Sequence, residues 1–333
     1  MTQVFLVDFT LAHSYYAARI PMQRVRRIWA AIIALLSISW ALAAVAGAGA
    51  PPQRLPSAVL IYPLIAVEGG GATVDTRVEL VNLTRRAVDL KCIFVPALSC
   101  SGIDFHIRLT PNQPLSWLAS KGLFTTSFTA IPPFFGSSGE LQCLVEPEPG
   151  QEDLEAHNAI QGRAAVFGAD GQTIGYSAVG ILRLTEGPYE NVFPLDGATY
   201  TQCPDEQHFV FISSETGNPL TESEIVLAPC SEDFVNGVPT TTTVQFLVIN
   251  EFEQQLSAAT SVTCYTRRTL RQISQAFTRA TLGSETGHLI VKGVQTPVLA
   301  MLVDRFVTPN AARGTAGNEP ALRGGRSAEI RLP

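Results

Sequence analysis

The stretch VELVNLTRRAVDLKC, residues 78–92, alternates apolar and polar residues, turns at an Asn-Leu-Thr sequon and ends on a cysteine. A looser copy, VQFLVINEFEQQLSAATSVTC, occupies residues 244–264. Alternation with a period of two is typical of a β-strand that buries one face. Asparagine suits the turn because its side chain caps backbone groups and tolerates a left-handed backbone. We interpret each stretch as a β-hairpin, with the sequon incidental.

A longer duplication surrounds the two copies. Residues 59–80 align without a gap on residues 225–246, at a constant offset of 166 (225 minus 59). GELQCLV at 139–145 is echoed weakly by GHLIVKG at 287–293. A period of this length is too long for a solenoid and favours two related tandem domains, although a chance likeness of two β units is the alternative.

The remaining sequence after residue 50 is also rich in strand patterns. Short runs of Val, Ile, Leu, Thr and Phe are separated by turn residues, which is typical of an all-β sandwich or barrel. The clearest hairpin is RAAVFGADGQTIGYSAVGIL, residues 163–182, around an Asp-Gly turn. The helical candidates are short, at 114–124 and 269–277. We predict two β-sandwich domains, one over 55–186 and the other over 187–309, followed by a disordered tail at 310–333.

Four segments carry a resemblance to a known group of proteins. They are DTRVELVN (75–82), LTPNQPLSWLASKG (109–122), LQCLVE (141–146) and VQFLVINEFEQ (244–254). The chain resembles uncharacterised exported bacterial proteins with tandem immunoglobulin-like β-sandwich domains. The resemblance implies an all-β fold of two such domains and an exported protein, and it implies no catalytic residues.

An export signal precedes this region. Three arginines come first: Arg24, Arg26 and Arg27. An apolar, uncharged run at 28–45 follows, and then small residues in the Ala-x-Ala pattern of a signal peptidase site. We expect a signal peptide over 1–48, with Met22 as an alternative start, or an uncleaved signal anchor, since the run approaches the roughly 20 residues that span a bilayer. Either way the rest of the chain is expected to be periplasmic or extracellular, at the cell surface, and to touch the membrane only through an uncleaved N-terminal helix.

Six cysteines follow the signal: Cys92, Cys100, Cys143, Cys203, Cys230 and Cys264. An even number in an exported chain favours disulfides, and the spacing of a zinc or redox site is missing. Cys203 and Cys230 flank two strand-like runs and are expected to face each other across a hairpin. Cys143 is expected to pair with Cys92 or Cys100.

Charge and motif patterns disfavour several functions. The net charge is -6, and the 23 basic residues are scattered, so we expect no nucleic-acid partner. The sequence has no G-x-S-x-G elbow, no Ser-x-x-Lys pair and no His-Glu-x-x-His helix. We therefore assign no catalytic residue and no cofactor.

An acidic segment, EPEPGQEDLEAHN at 146–158, is the one candidate for metal binding. Carboxylates are the ligands that Ca²⁺ prefers, and Glu148, Glu152 and Asp153 are the residues that would hold it. The segment lacks the order of a calcium loop, and a solvated acidic loop is the alternative.

Aromatic residues around Trp117 form the candidate ligand surface, and Phe124 is its closest companion in the sequence. Loop aromatics stack on sugars or anchor protein partners. The alternative is that Trp117 plugs the end of the first sandwich.

These patterns favour a non-enzymatic, exported structural or recognition protein of the bacterial cell envelope, with a protein or glycan as its partner. The first alternative is a carbohydrate-binding module that uses the loop aromatics around Trp117. The second is an exported hydrolase whose catalytic residues meet only in three dimensions, in a deep cleft with convergent carboxylates of perturbed pKa.

Overall fold

The computed structural model describes residues 55–71, 73–124, 130–168, 171–215, 221–307, 313–318 and 320–332. They belong to one compact unit, Gly47–Pro333. The expected N-terminal signal or anchor helix lies outside the described residues. Within them, no helix is both long and apolar enough to cross a membrane.

The described residues form 23 strands, and the all-β prediction is confirmed. The strands are β1 (Val59–Ala66), β2 (Val74–Asn82), β3 (Val88–Pro96), β4 (Ile103–Leu109), β5 (Pro114–Leu118), β6 (Leu123–Phe124), β7 (Ala130–Ile131), β8 (Ser138–Glu146), β9 (Ile160–Gly168), β10 (Thr173–Ser177), β11 (Val179–Ile181), β12 (Val192–Leu195), β13 (Glu206–Ile212), β14 (Thr221–Pro229), β15 (Glu232–Asp233), β16 (Thr241–Asn250), β17 (Gln255–Thr263), β18 (Thr266–Thr269), β19 (Thr286–Gly293), β20 (Val298–Val307), β21 (Arg313–Asn318), β22 (Ala321–Arg323) and β23 (Ala328–Arg331). The helices are α1 (Leu154–His157), α2 (Leu270–Ile273) and α3 (Arg279–Leu282), with 3₁₀ turns at Gly69–Gly71 and Gln275–Phe277.

These strands form five sheets of three or more strands and one two-stranded hairpin, β6–β7. In spatial order, sheet A is β10-β9-β2-β5, sheet B is β11-β1-β8-β3-β4, sheet C is β12-β23-β15, sheet D is β17-β16-β19-β13-β22 and sheet E is β18-β14-β20-β21. The predicted Asp-Gly hairpin is present as the antiparallel pair β9–β10. The predicted helix at 114–124 is wrong, because Pro114–Leu118 forms an edge strand against β2.

Three apolar clusters hold the sheets together. Sheets A and B share the first, to which Val78 of β2 and Phe94 of β3 both contribute. Sheets D and E share the second, with Phe246 of β16 and Leu302 of β20. The third lies on the other face of sheet B and includes residues of sheet C, among them Phe193. The strands β1, β8 and β3 of sheet B are therefore buried on both faces, which explains the nearly continuous apolar run of β3.

The finer prediction, two tandem immunoglobulin-like sandwiches, is corrected by the way these sheets combine. The first cluster takes in Val226, Tyr265 and Met301 from beyond the predicted boundary at 186/187. Sheet C unites β12, β15 and the late strand β23, where a disordered tail was predicted. Five sheets of this size match the blade count of a five-bladed β-propeller, but the strand orders join distant segments instead of consecutive meanders. The sheets thus make one compact unit, and the domain limits at 55–186 and 187–309 stay a prediction.

The two copies of the Asn-to-Cys stretch fold differently. In the second copy β16 and β17 pair as the expected hairpin. In the first copy the chain leaves sheet A at Asn82 and enters sheet B as β3, between β8 and β4. The hairpin prediction is wrong there, because β3 is buried on both faces and requires a central position, whereas β17 alternates and suits an edge.

Both turn asparagines cap the backbone as predicted. The Asn82 side chain is fully buried and donates from Nδ2 to the carbonyls of Arg86 (2.7 Å) and Thr110 (3.0 Å). Its Oδ1 accepts from the backbone N–H (2.9 Å) and hydroxyl (2.8 Å) of Thr84. The Asn250 side chain accepts from the N–H groups of Phe252 and Gln254. The sequon amide at Asn82 is enclosed, so the folded chain offers it to no glycosylating enzyme.

Substitution Asn82→Ala is expected to lower the free energy of unfolding by about 2 kcal/mol, because the backbone groups that it satisfies stay buried. Urea denaturation measures the change. Asn191→Ala, at an exposed position, is the matched control and is expected to change stability by less than about 0.5 kcal/mol. Equal effects of the two substitutions would contradict the capping role.

All six cysteines pair. Cys92 bonds Cys143, Cys203 bonds Cys230 and Cys100 bonds Cys264. Cys203 therefore pairs with Cys230 as expected. The two strands between these cysteines, β13 and β14, lie in different sheets and do not form the expected hairpin. Three disulfides favour an oxidising compartment outside the cytoplasm.

Candidate functional site

The predicted ligand surface around Trp117 is not on the surface. Trp117 lies on β5 opposite Val78, is 4% exposed and packs in the first apolar cluster. Phe124, on β6, is 72% exposed. The alternative expectation, that the tryptophan fills the first core, agrees with this placement. The sequence favoured a helix here, which hid the strand alternation that points Trp117 inward.

The three calcium candidates are not brought together around a metal. Glu148 forms an ion pair with Arg108 at 2.8 Å, and Asp153 forms one with Arg86 at 2.6 Å. Asp153 also caps α1 by accepting the N–H of Ala156 at 2.9 Å, and these contacts lower its pKa, the hydrogen bond from Arg86 most of all. Across the described residues, no group of three or more His, Cys, Asp or Glu side chains is arranged to hold a metal ion.

Two buried carboxyl groups form a pair that the sequence analysis missed. Glu140 of β8 is fully buried and Glu232 of β15 is 5% exposed. Glu140 accepts a hydrogen bond from Gln142 at 2.8 Å, while its other oxygen and one oxygen of Glu232 are buried without a hydrogen-bond partner. Burial raises the pKa of Glu140 to about 8. Burial and the charge of Glu140 raise the pKa of Glu232 to about 9.

A small cavity adjoins this pair. Its volume is about 70 Å³, and Glu232, Asp104 and Phe234 are among its lining residues. Sites for organic molecules occupy roughly 300–1,000 Å³. The two carboxyl groups therefore have raised pKa values, as the acid–base groups of an enzyme often do, but the cavity is too small to hold an organic substrate beside them.

The outer face of sheet A carries an open groove of about 500 Å³. Its lining comes from β2, β5, β9 and β10 and includes Glu79, Ser116, Gln161, Arg163 and Ser177. An adjoining recess of about 450 Å³ adds Ala165 and Gly175. Apolar residues complete the lining of the groove, namely Leu80, Val81, Pro114 and Leu115, while Tyr176 of β10 packs in the first core.

Hydrogen-bond donors and a carboxylate acceptor both line this groove. Arg163 Nε lies 2.6 Å from Glu79 Oε2, and the Arg163 side chain is 74% exposed. The Arg77 guanidinium, on β2, lies 5.9 Å from the centre of the ring of Phe167, which is on β9 and is partly exposed. Hydrogen-bond donors, a carboxylate acceptor and an aromatic ring thus share one face of the sheet.

Comparisons with known proteins add little. No protein-family model and no curated protein matches the sequence. One similar solved structure is titled "Crystal Structure of Thermotoga maritima 1070"; it has a TM-score of 0.29 and 9% identity, and the match covers 38% of this chain and 99% of that chain. At this TM-score the likeness carries no argument about fold or function.

Proposed function

We propose that the chain is an exported, non-enzymatic recognition protein of the bacterial cell envelope that binds its partner in the groove on the outer face of sheet A. The observation that carries the proposal is the groove itself, about 500 Å³ and open, lined by apolar and polar residues together with the Glu79–Arg163 ion pair. Its volume falls in the range of ligand sites. The export signal and the three disulfides support the location.

An oligosaccharide is the ligand class that we propose for the groove. Sugars present many hydroxyl groups, each a donor and an acceptor, and the groove supplies Arg163, Gln161 and Ser116 as donors beside the Glu79 carboxylate. Phe167, at the far end of β9, offers an apolar ring face for a sugar. The proposed site replaces Trp117 as the centre of the carbohydrate-binding alternative.

Substitution Gly175→Phe is expected to weaken glycan binding without unfolding the chain. A β-carbon at Gly175 meets no atom within 4 Å, and the residue is exposed on a strand, so a phenylalanine ring stands over the recess without backbone strain. A glycan array, followed by titration of the best glycan, measures the change. We expect the Kd to rise at least about tenfold.

The matched control is Leu98→Phe, which enlarges an exposed apolar side chain away from sheet A and is expected to leave binding unchanged.

Arg163→Ala is expected to weaken binding as well, while stability changes by less than about 1 kcal/mol, because so exposed an ion pair contributes little. Binding of peptides but no glycan would overturn the ligand class. Glycan binding that survives Gly175→Phe would overturn the site.

A further inference from the structure

The strand β17 is an open edge. It pairs with β16 over its whole length, from Gln255 opposite Ile249 to Thr263 opposite Thr241. In the described part of the chain no strand pairs with its other side. Every second residue is exposed, and Leu256 and Ala258, which face the second apolar cluster, are only partly buried. One row of backbone N–H and C=O groups is thus presented along nine residues.

The composition of β17 sets it apart from the other described edge strands. Its sequence, QLSAATSVT, contains no charged residue, no proline and no glycine. Sheet edges are normally protected by charges, prolines or short length. Such features are present elsewhere: charged Asp104 and Arg108 on β4, Pro114 on β5, Arg267 on β18, Arg313 on β21, Arg323 on β22, Pro194 on β12, and lengths of only two and three residues for β15 and β11. The edge strand β10, TIGYS, is interrupted by Gly175 and has β21 beside it.

We propose that β17 pairs with β17 of a second copy of the chain, antiparallel and across a two-fold axis at Ala259. Two five-stranded copies of sheet D then become one sheet of ten strands (5 plus 5). A two-fold interface must be self-complementary, since each residue meets its counterpart in reverse order. The pairing leaves no open β17 edge in the dimer.

The sequence of β17 is complementary to itself in this register. On the inner face, Leu256 lies opposite Val262 of the partner subunit, and Ala258 lies opposite Thr260 of the partner subunit. On the outer face, Ser257 lies opposite Ser261 of the partner subunit. The Leu–Val pair brings two apolar side chains together and the Ser–Ser pair brings two hydroxyls together, while the small Ala258 faces the β-branched threonine; matched cross-strand pairs of this kind are favourable. The pairing also covers Leu256, which is only partly buried in a single copy.

Sedimentation velocity of the oxidised full chain over a concentration series tests the proposal, and we expect a reversible dimer. The double variant Ser257→Glu with Ser261→Glu places two pairs of like charges opposite each other. It is expected to weaken the dimer about tenfold or more. Ser257→Lys with Ser261→Glu places opposite charges together in the same register and is expected to keep the dimer.

Both serines are exposed, so each variant is expected to melt as the wild-type chain does at low concentration. Thr173→Glu, at an exposed position of β10, is the control and is expected to leave the dimer intact. A chain that is monomeric at every concentration overturns the proposal, including the case in which β17 captures a strand of another protein. A dimer that the Glu/Glu variant leaves unweakened overturns it as well, as does equal weakening by the Glu/Glu and Lys/Glu variants.

Discussion

Replacement of both Cys100 and Cys264 by alanine is expected to lower the free energy of unfolding by about 5 kcal/mol. This disulfide joins the turn after β3 to the end of β17 and closes a loop with a sequence separation of 164. The cost of closing a loop in the unfolded chain grows with loop length, so the longest cross-link restricts the unfolded state most. The bond also ties sheet B to sheet D, which lie in different halves of the sequence.

The matched control is the double replacement of Cys203 and Cys230, which closes a sequence separation of 27. We expect a loss of about 3.5 kcal/mol for this pair on the same entropic argument. Urea denaturation at one pH gives both values, with equal slopes required for the comparison. Cys100 and Cys264 both have positive φ, 53° and 50°, and alanine keeps that conformation, so the comparison isolates the cross-link. A larger loss for the shorter loop would show that native packing, and not chain entropy, dominates.

The sequence predicted the class of fold because strand alternation is local. The Asp-Gly hairpin and the β16–β17 hairpin follow from adjacent runs with a turn between them. The sheet that β3 joins, and its neighbours there, could not be predicted in this way. Its apolar run indicates burial on both faces, but which sheets cover it depends on β8, sheet C and residues of the second half.

The same limit applies to the candidate site: residue types could be interpreted from the sequence, but contacts between distant segments could not be predicted. Trp117 was singled out by residue type, and only the register of β5 against β2 shows that it points inward. The groove consists of apolar and polar residues from four strands, and no local pattern brings Ser116 near Ser177. Glu140 could have been recognised from the sequence, because it is the acidic residue in GELQCLV, an otherwise uncharged run whose middle is buried.

The free energy of unfolding is expected to fall by about 4 kcal/mol as the pH rises from 7 to 9, because of Glu140 and Glu232. Both groups have a pKa raised above the value of 4.5 for a free glutamate, to about 8 and about 9. Below pH 4.5 they are neutral in both states, and their contribution to stability is complete. Above that pH the unfolded chain releases the two protons while the folded chain keeps them, and the contribution is lost as the pH passes through the folded pKa values.

Between pH 7 and pH 9 the contribution of the two glutamates to the pH dependence of stability can be separated from that of the histidines. Burial lowers the pKa of His157 and His208, so both are neutral in either state above pH 7 and add no slope there. The double variant Glu140→Gln with Glu232→Gln keeps the shape of both side chains and removes the titration, and its stability is expected to be flat over this interval. Glu253→Gln, in the exposed turn after β16, is expected to keep the full slope. A wild-type profile that is already flat would contradict the prediction, because it would mean that the folded chain does not hold the two protons that the unfolded chain releases.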